Sequence, residues 1–316
     1  MTATEPARRA GQVLEPPPGA APARPKRRSP TRPSPALWLF VLPALLLYVV
    51  FFVGPTLFAL QYSVTDWDGI SPSYRWVGTA NYSELLTGDT VFRRALGNNL
   101  RFVLVVVVLQ TVLSLLFAML LVRNTRGSVL LRALFFFPTI LSSVSVAFVW
   151  SFVYDPNGGL LQGVGLPGPA QGWLGSEDTA LYALAVTQVW FHTGQMLVVF
   201  VAGLQAIPTE LYEAAELEGA TGWQSFRHVT WPLVAPATAI VLAYTTIQSF
   251  KAFDLVFAMT QGGPNYSTEI LATLIYDTAF VNFRFGYAAA ESVVFMVLVG
   301  LVAWLQRRAL RVEREA

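Results

Sequence analysis

The sequence predicts an all-α polytopic membrane protein with six transmembrane helices. Three observations support this prediction: 54% of the 316 residues are hydrophobic, only 13% are charged, and the apolar residues fall in long uncharged runs. A soluble domain carries about 25% charged residues, so this chain lacks the charge needed to cover a water-exposed surface. Cysteine is absent, which excludes disulfides, thiolate metal sites and cysteine nucleophiles.

Six segments are long enough to cross a membrane, because a hydrocarbon core of about 30 Å needs roughly 20 helical residues. Runs free of Asp, Glu, Lys and Arg define five of them, and the sixth contains one charge, Glu291. The uncharged run that follows Asp155 is rich in Gly and Pro, which favours a loop over a helix. The predicted spans cover approximately residues 36–60, 101–122, 133–154, 180–204, 233–253 and 286–306.

The distribution of Lys and Arg predicts the orientation of these spans. With six spans both termini lie on one side, and that side receives fifteen of the 21 basic residues, seven of them in residues 1–35. Basic loops stay cytoplasmic, so residues 1–35 and 307–316 are predicted to be cytoplasmic tails of a protein in the cell membrane. The nine prolines of residues 1–35 predict disorder, and the basic residues there are suited to contact membrane lipid or to act only as a topology signal.

The sequence contains no motif for catalysis. Its two lysines, Lys26 and Lys251, do not follow a glycine, so a phosphate-binding P-loop is excluded. HExxH and GxSxG motifs are absent, and two histidines leave little for a zinc site. We therefore expect no enzymatic activity, no cofactor, no metal site and no nucleic-acid partner. ATP-driven work would have to come from another subunit.

One hydrophilic loop, residues 207–232, has the pattern of a short helix pair. Residues 210–217 favour a helix, and Gly219 is suited to end it because glycine adopts the left-handed conformation without strain. A second short helix is predicted over residues 222–229, stopped by Pro232. The loop is predicted to lie outside the bilayer.

The same loop resembles the EAA motif, which marks the membrane permeases of binding-protein-dependent ABC importers. The sequence reads E-A-A-x-x-x-G from Glu213 to Gly219, with Pro232 nineteen residues after the glutamate. Residues 260–294 and 132–161 are similar to further blocks of the carbohydrate branch, which includes the maltose and glycerol-phosphate permeases. Glu218 departs from the pattern, since the family usually has Asp there, but the charge is kept.

The resemblance implies the MetI-like permease fold of ABC importers and a subunit that translocates a sugar. It also implies four kinds of partner: a second homologous permease, two ATPase subunits, an extracytoplasmic sugar-binding protein and the membrane. We call residues 207–232 the EAA loop; in the family it docks on the ATPase and couples ATP hydrolysis to transport. The residues that carry this expectation are Glu213, Ala214, Ala215, Glu218, Gly219 and Pro232.

Polar residues in spans four and five predict a translocation path. Polar groups within a span usually face a cavity or a neighbouring helix, and amide and hydroxyl groups beside aromatic rings suit a sugar. In the resembled family these two spans line the substrate cavity. Hydrogen bonding between helices is the competing explanation. The candidate residues, at helical spacing, are Gln188, His192, Gln195, Tyr244, Thr245, Gln248 and Ser249.

The alternative to an ABC importer is a secondary transporter driven by an ion gradient. Such a protein would show internal repeats, broken helices and intramembrane acids. No clear repeat is visible, and only Glu291 is a candidate intramembrane acid. Glu291 is expected either at the periplasmic interface or paired with a nearby cation, and Lys251 and Asp254 either pair with each other or meet the binding protein. These alternatives stay open, as does the identity of the sugar.

Overall fold

The fold is helical throughout the part of the chain that the structure describes. The structure is a computed structural model covering residues 35–166 and 168–315, so the predicted disorder of the basic tail concerns residues outside this part. Within it, extended pairing is limited to one isolated antiparallel bridge, between Thr65 and Trp76. The all-α prediction is confirmed.

Fourteen α-helices follow one another along the described chain. Five short segments of other helical type join or extend them: π-helical Val49–Val53, Glu84–Gly88, Phe226–Thr230 and Asp277–Val281, and 3₁₀-helical Phe137–Ile140. The α-helices are α1 Pro35–Tyr48, α2 Gly54–Tyr62, α3 Ala80–Ser83, α4 Thr90–Leu121, α5 Arg126–Phe136, α6 Ser143–Val153, α7 Leu160–Gly163, α8 Ala180–Gln205, α9 Thr209–Leu217, α10 Gly222–Ser225, α11 Trp231–Phe250, α12 Phe253–Thr260, α13 Leu271–Tyr276 and α14 Phe285–Glu315.

The chain divides into two compact units, residues 1–53 and 54–316. In the first unit the described residues form α1 and the π-helical turn after it, and the side chains from Leu39 to Phe52 are exposed. A helix that is apolar on all sides has the composition of a membrane span. The second unit contains all the other helices.

Five helical stretches are long and apolar enough to cross a membrane: Leu39–Tyr62, Thr90–Leu121, Ala180–Gln205, Gly222–Phe250 and Phe285–Ala309. The sixth predicted span, residues 133–154, is not one straight helix. Arg126–Ile140 and Ser143–Val153 meet at an angle of 103°. The number six therefore holds when this bent pair counts as one span.

The bend has a local cause in the backbone between α5 and α6. Pro138 lacks the N–H that an α-helix needs, and the chain tightens there into the 3₁₀ segment. Leu141 and Ser142 then adopt extended backbone angles, with ψ of 157° and 136°, before α6 begins. We refer to residues 137–142 as the span-three break.

Two helices extend beyond the span boundaries predicted from the sequence. The second span begins at Thr90 rather than near residue 101, because Asp89 caps the helix by accepting a hydrogen bond of 2.8 Å from the Phe92 amide. The last helix continues past the predicted span to Glu315, so the described part of the predicted tail, residues 307–315, is helical, while the membrane-length apolar stretch ends at Ala309. The fourth span agrees with the prediction to within one residue.

The core of the second unit lies between α4, α8 and α11. Aliphatic and aromatic side chains from all three helices form one buried cluster, and small residues let the backbones approach. A Cβ atom added at Gly203 of α8 would lie 2.5 Å from the Cβ of Ala237 on α11. One added at Gly194 would collide with the carbonyl oxygen of Phe135, so glycine at this position allows α5 to pack closely on α8.

Candidate functional site

A cavity with a volume of about 570 Å³ lies between α8, α11 and the span-three break. Its wall combines amides, hydroxyls and an imidazole with aromatic and aliphatic side chains and two opposite charges. The residues that line it are Leu141, Ser142, Ser143, Gln188, Phe191, His192, Tyr244, Ile247, Gln248, Lys251, Ala252, Asp254 and Leu255.

Helix α8 presents the polar stripe that the sequence predicts. Gln188 and His192, one turn apart, line the cavity together with Phe191. Gln195, a further turn along, donates a hydrogen bond of 3.0 Å from Nε2 to the Tyr244 hydroxyl on α11. Trp190, next to this stripe in sequence, instead packs edge-on against Trp150, with ring centroids 5.4 Å apart.

Helix α11 turns part of the predicted set of polar residues to the cavity. Tyr244 and Gln248 line it together with Lys251, whereas Thr245 and Ser249 are fully buried and do not line it. The Ser249 hydroxyl donates to the Thr245 carbonyl at 2.7 Å, which is a local helix contact. Thr245 and Ser249 therefore do not line this cavity, and their assignment to the path stays a prediction. Residues at i, i+4 and i+7 share a face, and the sequence alone did not say which such face meets the cavity.

Two charged residues at the cavity were left unassigned by the sequence. Asp254 of α12 accepts a hydrogen bond of 3.2 Å from the Ser143 hydroxyl at the start of α6. Lys251 forms no ion pair with Asp254 among the described residues, so the predicted option of a Lys251–Asp254 pair is not observed. The cavity thus offers one cationic donor and one anionic acceptor in addition to its neutral polar groups.

One polar atom at the cavity has no hydrogen-bond partner. The Gln248 side-chain oxygen is buried and has no hydrogen-bond partner in the described structure. The Leu141–Ser143 stretch also lines the cavity, and sequence reasoning missed it because it treated residues 133–154 as one continuous helix. Pro138 within that run was the available signal for a break.

Glu291 lies apart from this cavity. It is fully buried within the last span and accepts a hydrogen bond of 3.3 Å from the Thr278 hydroxyl. None of the ion pairs between described residues includes it, so the option of a cation pair is not observed, while a position at the periplasmic interface stays a prediction. The described residues also hold no group of three or more metal-ligating side chains.

The EAA loop forms the expected helix pair. Helix α9 ends at Leu217, and Gly219 two residues later has a φ of +76°, which is left-handed as predicted. The amides of Gly219 and Ala220 bond to the carbonyls of Glu216 and Ala215 at 3.0 and 2.9 Å, the two hydrogen bonds of a Schellman cap. Thr221 then caps α10 by accepting from the Gln224 amide, and Gln224 bonds back to the Thr221 amide.

One side of α9 contacts the transmembrane helices and the other side is free. Tyr212 packs on the core cluster, and its hydroxyl lies 3.0 Å from that of Thr230. Ala215, one turn further, is half-buried on the same side. The other residues assigned to coupling are exposed on the free side of the loop or at its end: Glu213, Ala214, Glu218, Gly219 and Pro232.

The second half of the EAA loop is continuous with span five. Helix α10, the π-helical segment Phe226–Thr230 and α11 form one helical stretch, Gly222–Phe250. The prediction that Pro232 stops the second helix is therefore wrong. Pro232 occupies the first turn of α11, where its missing N–H is tolerated, and the π-helical segment before it absorbs the change in hydrogen-bond register.

These features define a class of protein: a polytopic membrane transport subunit with a polar cavity between its spans and an exposed helix pair outside them. Residues 110–311 match the family described as binding-protein-dependent transport system inner membrane component. The chain belongs to this family of ABC importer permeases, as the resemblance in the EAA loop predicted. It is a membrane permease subunit, not an enzyme.

Similar proteins cover nearly the whole chain. A probable ABC transporter permease of Pyrococcus horikoshii is 35% identical over 285 residues, which cover 88% of this chain and 97% of the relative. The multiple sugar-binding transport system permease MsmF of Streptococcus mutans is 35% identical, with 85% and 93% covered. The diacetylchitobiose uptake system permease NgcF of Streptomyces coelicolor is 34% identical, with 91% and 88% covered.

The fold is also similar to that of solved importers. A bacterial ABC transporter involved in importing the acidic polysaccharide alginate contains a chain with a TM-score of 0.75 and 20% identity. The match covers 87% of this chain and 95% of that one. This likeness confirms the predicted permease fold.

Proposed function

We propose that this permease translocates a mono- or oligosaccharide through the cavity between α8 and α11. Gln188, Gln248 and the Tyr244 hydroxyl offer donors and acceptors for sugar hydroxyls, and Phe191 offers a surface for an apolar ring face. The unpartnered side-chain oxygen of Gln248 is the observation that carries the proposal, because a buried acceptor without a donor is satisfied when a hydroxyl enters. Named sugar permeases among the relatives support it.

Energy would come from a separate ATPase that binds the free side of α9. Glu213, Ala214 and Glu218 are exposed there, and the adjoining Gly222–Phe250 stretch reaches the cavity wall at Tyr244 and Gln248. Movement of the EAA loop by a pair of ATPases would therefore be transmitted to the cavity through one helix. The complete transporter would contain a second homologous permease, two ATPases and an extracytoplasmic binding protein.

The proposed orientation places both termini and the EAA loop in the cytoplasm. The amide of Gln205 donates to the Val122 carbonyl at 2.9 Å, so the ends of α4 and α8 lie together on the side from which the EAA loop emerges. The basic loop between α4 and α5 shares that side, in line with the positive-inside rule.

Reconstitution of the whole transporter in liposomes tests this proposal. Uptake of a sugar is expected to require ATP and the binding protein, whereas uptake driven by an ion gradient alone would reject it. The double variant Gln188→Leu/Gln248→Leu should lower uptake about tenfold or more, because each lost hydrogen bond to a sugar contributes about 1 kcal/mol. The ATPase should still copurify with the variant.

Thr245→Val is the matched control for the cavity variant. Thr245 lies on the same helix but is buried and does not line the cavity, and its hydroxyl has no hydrogen-bond partner in the described structure. We expect normal uptake. Equal uptake by the double variant and the wild type would show that the cavity is not the path.

A further inference from the structure

A second polar pocket, with a volume of about 320 Å³, lies at the opposite end of α4 and α8 from the EAA loop. The two helices run in parallel, since Arg94 pairs with Glu177 near their beginnings and Gln205 meets Val122 near their ends. Arginines from the first turns of α4 and the acidic pair before α8 form half of its wall. The charged residues that line it are Arg93, Arg94, Arg101, Glu177 and Asp178.

The pocket holds more positive than negative charge. Arg94 forms an ion pair of 2.6 Å with Glu177, and Asn265 donates a hydrogen bond of 3.1 Å to the same carboxylate. These two contacts hold the pKa of Glu177 below its usual value, so it stays ionised and neutralises Arg94. Arg93 and Arg101 have no ion pair within the described structure. Asp178 offsets one of them, which leaves one net positive charge.

The wall of this pocket also includes a residue with a buried, unpartnered hydroxyl. Ser267 is 5% exposed and lines the pocket, and its Oγ has no hydrogen-bond partner in the described structure. The loop that carries it is held against α4 by Asn98, which donates to the carbonyls of Tyr266 and Glu269 at 2.9 and 3.1 Å. A buried donor is costly to leave unpaired, so Ser267 points to an acceptor that occupies the pocket.

The faces of α4 and α8 that line the pocket continue towards the C-termini of these helices as an apolar surface. Arg101 immediately precedes the uncharged run 102–122, and exposed Leu104, Val108 and Val112 continue its face of α4 towards the middle of the span. Tyr182 lines the pocket on α8, and Val186 is exposed one turn below it. Arginine and tyrosine at the edge of an apolar helix face are typical of the membrane interface.

We propose that this pocket binds the phosphate of an anionic phospholipid headgroup. Arg93, Arg101 and the Ser267 hydroxyl hold the phosphate oxygens, and the acyl chains lie along the exposed aliphatic side chains of α4 and α8. An anionic head with an apolar tail matches both parts of the surface, whereas a soluble anion or a carboxylate of a docked protein matches only the first. The proposal is independent of the transported substrate and of the energy source.

Native mass spectrometry of the full-length chain, purified in detergent and titrated with dioleoyl phosphatidylglycerol, tests the proposal. We expect one tightly bound lipid per chain and weaker binding of dioleoyl phosphatidylcholine. The variant Arg93→Gln/Arg101→Gln should raise the phosphatidylglycerol Kd about tenfold or more, since each basic residue near anionic headgroups contributes substantially. An unchanged Kd would overturn the proposal.

Two further variants keep the test sharp. Arg75→Gln is the matched control, because Arg75 is a well-exposed arginine that pairs with Asp66 away from this pocket; its lipid Kd should equal that of the wild type. Ser267→Ala removes no charge, so it should fold even if the double variant does not, and it should weaken lipid binding several-fold. Loss of lipid binding by Arg75→Gln to the same degree as by the double variant would reject a specific site.

The source of the phosphate is tested separately. Inorganic phosphate at millimolar concentration should fail to displace phosphatidylglycerol from the wild type. Efficient displacement would assign the pocket to a soluble anion and reject the lipid. Likewise, if the double variant keeps its lipid affinity but loses affinity for the extracytoplasmic binding protein, the pocket serves protein docking and the proposal is wrong.

Discussion

Substitution of Gly219 tests the role of the EAA loop most directly. Its φ of +76° is left-handed, and a Cβ added there would meet no atom within 4 Å. The cost of Gly219→Ala is therefore the backbone strain alone, about 1–2 kcal/mol. Because the Schellman cap lies at an exposed loop end with little other support, this strain should lower the ratio of capped to unwound loop about 5–30-fold.

The expected effect is a graded loss of coupling. Asparagine tolerates the left-handed conformation, alanine tolerates it less well and β-branched valine least, so uptake should fall from Gly219→Asn through Gly219→Ala to Gly219→Val. The assay is sugar transported per ATP hydrolysed by the reconstituted transporter. Membrane insertion and the thermal stability of the spans should remain unchanged, because the turn lies outside them.

Gly222→Ala serves as the control for this series. Gly222 lies in the same loop, is also exposed and also has open space around its Cβ position, but it lacks a left-handed backbone. We expect wild-type coupling from Gly222→Ala. Normal transport by Gly219→Val, or a loss of coupling in Gly222→Ala as large as in Gly219→Ala, would contradict a role of the left-handed turn in coupling.

Three further predictions concern packing, pH and the cavity. Gly194→Ala forces a Cβ into the Phe135 carbonyl and should destabilise the fold by about 1–3 kcal/mol in thermal denaturation, whereas Gly300→Ala, which has open space, should not. Burial raises the pKa of Glu269 from 4.5 to about 7, so the folded state binds the proton more tightly than the unfolded state and is stabilised when Glu269 is protonated. This contribution is complete below pH 4.5 and is lost as the pH rises through about 7, and Glu269→Gln should flatten that part of the dependence of Tm on pH. Tyr244→Phe removes the hydrogen bond from Gln195 and should change the KM for the sugar while ATPase binding persists. An unchanged KM would show that this contact plays no part in sugar binding.

Helical periodicity identified a polar face of α8 that lines the cavity, on a helix that is mostly buried. Gln188 and His192 line the cavity, and Gln195 reaches it through Tyr244. Periodicity was less informative for α11, where Thr245 and Gln248 both begin plausible polar stripes. Only the neighbouring helices determine which stripe faces the cavity, and those contacts are far apart in sequence.

Local chemistry also explains what the sequence predicted in the EAA loop. Gly219 and the ends of α9 follow from residue preferences that act within a few positions, and they were predicted correctly. Helices adjust their hydrogen bonds around a proline in different ways. A π-helical segment precedes Pro232, whereas the chain bends sharply in the span-three break that follows Pro138. The sequence marks both prolines but does not distinguish these two responses.

The continuous stretch Gly222–Phe250 has a mechanical consequence. Its 29 residues extend about 40 Å at 1.5 Å per residue, so under the proposed coupling a small tilt imposed at the EAA loop becomes a larger sideways displacement beside Gln248. In that proposal the stretch is a lever, and the π-helical segment Phe226–Thr230 near its EAA-loop end is where the hydrogen bonding departs from the α-helical pattern. Substitutions that stiffen or loosen this segment should therefore change the displacement at Gln248 in each transport cycle, although the segment contacts neither the sugar nor the nucleotide.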